Sequence, residues 1–78
     1  MSDVKPVPHH FYVDGKEYES EKTALTGLEI KTIASVPGDY QLFLEAEGDA
    51  ADRAISDGES VAINRKPHFF AVPPATFG

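Results

Sequence analysis

Patterned sequence begins with the short aromatic and β-branched run Phe11-Tyr12-Val13, whose successive side chains point to opposite sides of a strand. Asp14-Gly15 follows at once. It is a strong two-residue hairpin signal, because a type I′ turn needs positive φ at both central positions. Pairing across it sets Val13 against Lys16, Tyr12 against Glu17 and Phe11 against Tyr18. Phe11 and Tyr18 then share the inner face, while Tyr12, Glu17 and Glu19 lie outside.

The period next lengthens from two toward 3.6. Thr26-Gly27-Leu28-Glu29 has the spacing of a capping box, in which the Thr hydroxyl takes one orphan N–H and Glu29 reaches back. Ile30, Ile33 and Ala34 form an apolar stripe behind it. Leu25 stands where it can staple onto Ile30, and Lys31 points away from the stripe. Pro37-Gly38 stops the helix, which is predicted over residues 27–36.

Strand character returns over residues 40–45, with Tyr40, Leu42 and Leu44 toward the helix and Gln41, Phe43 and Glu45 toward solvent. An acidic loop leads to a short strand at Arg53-Ala54-Ile55, then to a turn at Asp57-Gly58 with Val61 and Ile63 packing beneath. A basic turn over residues 64–67 precedes the last strand, residues 68–72. Helix and sheet can each bury an apolar side only against the other. The last strand closes best parallel to the first, in the sheet centre, shielding Phe69 and Ala71 or else Phe70 and Val72. The pattern thus predicts an α+β fold of the β-grasp arrangement, a mixed sheet of about four to five strands with one amphipathic helix on one face. Residues 1–9 read as a flexible leader, 10–72 as the domain and 73–78 as an extended tail. The expected core is Phe11, Tyr18, Leu25, Ile30, Ile33, Leu42, Leu44 and Ile63.

Charge narrows the partners. Seven Lys and Arg against thirteen Asp and Glu give −6, which argues against nucleic acid or an anionic membrane, both of which demand clustered positive charge. There is no Cys, so disulfides, a thiol nucleophile and Cys-ligated zinc are excluded. No apolar run approaches the ~18 residues of a membrane span, and a cytoplasmic protein is expected. His9, His10 and His68 fall short of the four ligands zinc normally takes, so no metal is expected. Glu45, Glu47, Asp49 and Asp52 do not match a calcium-loop spacing. No motif sets a nucleophile beside a base, and no cofactor is called for; the chain is not expected to be an enzyme.

The chain then runs Val72-Pro73-Pro74-Ala75-Thr76-Phe77-Gly78. Consecutive prolines cannot donate to a sheet and hold the backbone extended, so the arm leaves the fold as a stiff tail. Gly78, without a Cβ, can thread a narrow channel and bring its carboxylate to another protein's catalytic centre.

Several segments carry a resemblance. The order of elements, Pro37-Gly38-Asp39-Tyr40 after the helix and Ile55-Ser56-Asp57-Gly58-Glu59-Ser60-Val61 resemble ubiquitin. Tyr12-Val13-Asp14-Gly15-Lys16, Leu25-Thr26-Gly27-Leu28-Glu29-Ile30 and Phe69-Phe70-Ala71-Val72-Pro73 resemble the bacterial multi-ubiquitin domain family. The resemblance implies a ubiquitin-like β-grasp and a protein modifier. Its partners would be an ATP-dependent activating enzyme, a conjugating enzyme and a metalloprotease of the deubiquitinase type. It implies that Gly78 is adenylated, carried as a thioester and joined to a lysine amine by an isopeptide bond. Thr76 and Phe77 would precede it in the activating enzyme's channel, where Phe77 departs from the Gly-Gly of ubiquitin and implies a pocket for its ring. Phe43 matches ubiquitin's central exposed isoleucine, and with Val72 and Gln41 it makes the candidate partner-binding patch. Lys5, Lys16, Lys22, Lys31 and Lys66 are the candidate linkage lysines. Two alternatives stay open: a non-conjugated β-grasp interaction domain, and a sulfur carrier ending in a thiocarboxylate.

Overall fold

A computed structural model describes residues 7–75. Its elements run β1 (His9–Val13), β2 (Lys16–Ser20), β3 (Ala24–Thr26), α1 (Gly27–Ile33), β4 (Gln41–Leu44), β5 (Arg53–Ile55), β6 (Ser60–Ala62) and β7 (His68–Val72). Five strands form one sheet in the order β2-β1-β7-β4-β5, and β3 pairs with β6 in a second, two-stranded sheet. With one short helix against the mixed sheet, the architecture is an α+β ubiquitin-like β-grasp.

The hairpin follows its turn chemistry. Asp14 and Gly15 have φ of 52° and 82°, and the register pairs Phe11 with Tyr18, Tyr12 with Glu17 and Val13 with Lys16. His9, at the end of the segment read as leader, already pairs with Ser20 in β1. The last strand lies parallel beside the first, with Tyr12 opposite His68 and Val13 opposite Phe69. The inward alternative for β7 is therefore Phe69, 1% exposed, and the Phe11 ring meets it edge-on at 6.3 Å.

Helix α1 opens on the expected capping box: Glu29 N–H donates to the Thr26 hydroxyl at 3.2 Å, and Thr26 N–H to the Glu29 carboxylate at 2.9 Å. It ends three residues before the expected boundary of Val36, since its last helical residue is Ile33. Ser35 takes φ of 58°, its N–H donates to Thr32 O, and Val36 N–H reaches Lys31 O at 2.8 Å. This is a Schellman closure with Ser where Gly is usual. Continued helix would have put Val36 on the flank of Ile33; the reversal instead turns it into the core.

The buried side of α1 is Gly27, Ile30, Lys31 and, partly, Ala34, an i, i+3, i+4, i+7 stripe. Ile33, expected in the core, is 38% exposed. Lys31, expected to point away, is 3% exposed. Its ammonium donates to Gly38 O at 2.8 Å and Tyr40 O at 3.1 Å and pairs with the Asp57 carboxylate at 2.6 Å. The turn after β5 closes on the start of the helix. Gly27 N–H donates to Glu59 O and Leu28 N–H to Asp57 O, so two orphan donors of the first turn are satisfied by backbone. A Cβ at position 27 would sit 2.3 Å from Ser56 O.

Around this contact the core is Phe11, Val13, Leu25, Ile30, Leu42, Ile55, Val61, Ile63 and Phe69, with Tyr18 and Leu44 packed partly against it. Leu25 reaches it from β3, a strand the pattern did not predict, where it pairs with Val61.

Two outcomes test this packing. Gly27→Ala should lower unfolding free energy in urea by about 1–3 kcal/mol through overpacking, although Ala is the better helix former. Gly58→Ala, with open space around its Cβ, should stay within ~0.5 kcal/mol. Equal effects would refute the close approach. The second outcome concerns acid. The Lys22 ammonium, and then the Thr26 N–H, hold the Glu29 carboxyl below its ordinary range, and the Arg53 guanidinium does the same for Glu59. Carboxyls lowered by folding stabilise it above their unfolded pKa of ~4.3 and lose that contribution as pH falls through their folded values. Stability should therefore decline in acid, and the double change Glu29→Gln, Glu59→Gln should flatten the decline; a wild-type stability constant down to about pH 3 would contradict it.

Candidate docking face and tail

Alternation along three central strands leaves one side of the sheet to solvent. Opposite the buried Phe11, Val13, Leu42 and Phe69 stand Tyr12 on β1, Gln41 and Phe43 on β4, and His68, Phe70 and Val72 on β7. The β4–β7 register sets Phe43 against Phe70 and Gln41 against Val72, so Phe43, Val72 and Gln41 do share one face. Val72 is 40% exposed. Gln41 is tied down, its Nε2 donating to Leu42 O and Ile55 O at 3.0 Å each.

Phe43, expected toward solvent, is half-buried. One side of its ring is covered by Phe70, stacked at 5.1 Å and 11°. Beside it on β7, His68 stacks on Tyr12 at 4.4 Å and 10°. Tyr12, His68 and Phe70 were not among the patch residues read from sequence. The signal was available: once Val13 and Phe69 both face inward in a parallel pair, Tyr12 and His68 must meet outside.

The edge beside Tyr12 is acidic. Glu17 accepts the Tyr12 hydroxyl proton at 3.1 Å, which holds the phenol above its ordinary pKa. The His10 ring lies between Glu17, 3.4 Å from Nδ1, and Glu19, 3.9 Å from Nε2. His10 and His68 are thus engaged with different neighbours, and among the described residues no group of three or more His, Cys, Asp or Glu is placed to hold a metal. In the acidic loop, the Asp52 carboxylate accepts the Ala46 N–H at 2.9 Å.

β7 ends at Val72, and Pro73, Pro74 and Ala75 follow as exposed chain without regular structure. Thr76, Phe77 and Gly78 lie outside the described residues, as does Lys5. The remaining candidate lysines fall into two kinds. Lys16, Lys22 and Lys66 are exposed, Lys16 with its Nζ 5.7 Å from the Tyr18 ring centroid and Lys22 paired with Glu29 at 2.6 Å. Lys31 is buried in the three contacts that hold the helix, so its amine has no free approach.

In comparison with known proteins, a family model described as Multiubiquitin matches residues 10–75. No curated protein and no solved structure matches the chain. Among the described residues no helix is long and apolar enough to cross a membrane.

Brief acetylation by a water-soluble active ester, read by mass spectrometry, checks the lysine placement. Lys16, Lys22 and Lys66 should be modified readily and Lys31 at least about tenfold more slowly, since its reaction requires a local opening that costs free energy. Labelling of Lys31 as fast as Lys66 in folded protein would show that the ammonium is not enclosed.

Proposed function

The chain belongs to the multiubiquitin family, and we propose that it is a bacterial ubiquitin-like modifier, activated at Gly78 by a cognate enzyme and conjugated to target lysines. The observation that carries this reading is the family match over a β-grasp whose last strand hands the chain to an exposed proline arm. Gly78 acts either as the chain stands or after a metalloprotease has cut behind it. The domain is the group transferred, with the catalysts supplied by its partners. Activation requires ATP and a reduced enzyme thiol, which assigns the cytoplasm.

The chemistry balances in four displacements. The Gly78 carboxylate attacks the α-phosphorus of ATP, and pyrophosphate leaves. A cysteine thiolate of the activating enzyme attacks the acyl carbon, and AMP leaves. After transfer to a conjugating enzyme's thiol, a target lysine amine attacks, the thiolate leaves and an isopeptide bond forms. Phe77 fills a pocket in the cognate channel, where ubiquitin has glycine. The same departure weighs against a sulfur-carrier role, whose tail is ordinarily Gly-Gly. Among the described residues, Lys16, Lys22 and Lys66 are the reachable acceptors for chain formation. The outer face, through Phe43, Val72 and Gln41 joined by Phe70, docks the enzymes.

With the activating enzyme from its own operon and ATP, the protein should support pyrophosphate exchange and form a thiol-labile adduct. Deletion of Gly78 should abolish both, and Phe77→Gly should impair them. Phe43→Ala should weaken enzyme binding by about 1–3 kcal/mol and, because its ring stacks on Phe70, also lower stability by about 1 kcal/mol. If no activating enzyme of the operon yields an adenylate or adduct, the modifier reading fails. A non-conjugated interaction domain, which shares the docking face and has no use for Gly78, then takes its place.

A further inference from the structure

We propose that the aromatic outer face selects a basic amphipathic helix, one that presents apolar anchors flanked by arginine or lysine. The proposal rests on the docking role given to this face above and adds the charge of its partner. Four rings form two stacked pairs, Tyr12 with His68 and Phe43 with Phe70, and Val72 extends the apolar surface. His68 and Phe70 are two residues apart on β7, about 7 Å along a strand. That is close to the ~6 Å between i and i+4 on a helix, so successive anchors on one helical face reach both pairs.

The charges around the rings are mainly negative. Glu17 and Glu19 flank Tyr12 through His10, and Glu45, whose N–H donates to His68 O at 2.8 Å, stands at the end of β4. Most of the cations that could offset them are engaged elsewhere. Lys22 pairs with Glu29, Lys31 is buried on Asp57, and Arg53 pairs with Glu59. Lys16 lies over Tyr18, whose ring stacks inward on Phe11 at 5.8 Å. Arg65 and Lys66, in the turn before β7, line one depression with Glu45, Glu47 and His68, so two cations match two carboxylates at that end and the acidic excess lies on the β2 side, at Glu17 and Glu19. Aromatic faces carry negative potential and attract guanidinium groups, and a carboxylate rim adds to that attraction while repelling acidic partners.

Two synthetic helical peptides test this against isotope-labelled protein by NMR titration. They share the same leucine anchors and differ only in flanking residues, all Arg in one and all Glu in the other. The Arg peptide should bind at least about tenfold more tightly at low salt, with the preference shrinking as salt rises. Shifts should fall on Tyr12, Phe43, His68, Phe70 and Val72. Glu17→Gln with Glu19→Gln should remove most of the preference, whereas Phe70→Ala should weaken both peptides alike. Equal affinity, preference for the Glu peptide, shifts centred on Leu28 and Ile33 instead, or no binding of either peptide at millimolar concentration would each overturn the proposal. No activating enzyme is present, so this outcome is separate from that of the adduct assay.

Discussion

An ammonium withdrawn from water must keep its three protons on oxygen, and in this fold the Lys31 ammonium does so with Gly38 O, Tyr40 O and the Asp57 carboxylate. Those three acceptors lie on the loop into β4 and on the turn after β5, elements far apart in sequence. Satisfying them rotates α1 so that Gly27 and Lys31 join Ile30 on the buried side. Gly27 then meets Ser56 O at a distance that excludes any side chain, and Ile33 is turned outward. The same Lys31 contributes its carbonyl to the closure at Val36, which ends the helix early. One polar cluster thus settles the phase, the length and the docking of the only helix among the described residues.

The sheet supplies a complementary constraint. β7 lies between β1 and β4, so its inward residue Phe69 fills the core while its outward residues His68 and Phe70 each acquire a ring on a neighbouring strand. A one-residue slip would exchange these roles completely. Burial of Phe69 therefore enforces the outer aromatic surface. Stability of the domain and presentation of its outer aromatic face are consequences of one register.

Where local chemistry alone decides, the sequence was readable. The Asp14-Gly15 turn with its register, the capping box at Thr26 and the inward Leu42 were all accessible from residue type and period, and the parallel closure of β7 from the rules of sheet topology. The helix face was misread for a physical reason. Periodicity credits apolar side chains, and the true stripe contains a glycine that packs through its backbone and a lysine that is satisfied by partners seven or more residues away. β3 was missed because three residues around Leu25 carry too little alternation, and the strand exists only through its pairing with β6. The outer patch was legible in part: Phe43 came from alternation, whereas Tyr12 and His68 needed the exact-residue pairing of β1 and β7, and Phe70 that of β4 and β7. The burial of Lys31 escaped the pattern for the same cause as the helix phase.

The parallel pair of β1 and β7 joins segments at opposite ends of the domain. Such a contact closes nearly the longest loop the domain contains, and topologies of this kind fold slowly for their size. During synthesis the hairpin and the helix can form as they emerge, but β1 and β4 have no common neighbour until His68–Val72 has left the ribosome. Before then β1 and β4 each carry an open edge, and the core lacks Phe69. The strand that completes the sheet is also the one that leads into the tail, so a tail free of the ribosome signals a domain already able to fold.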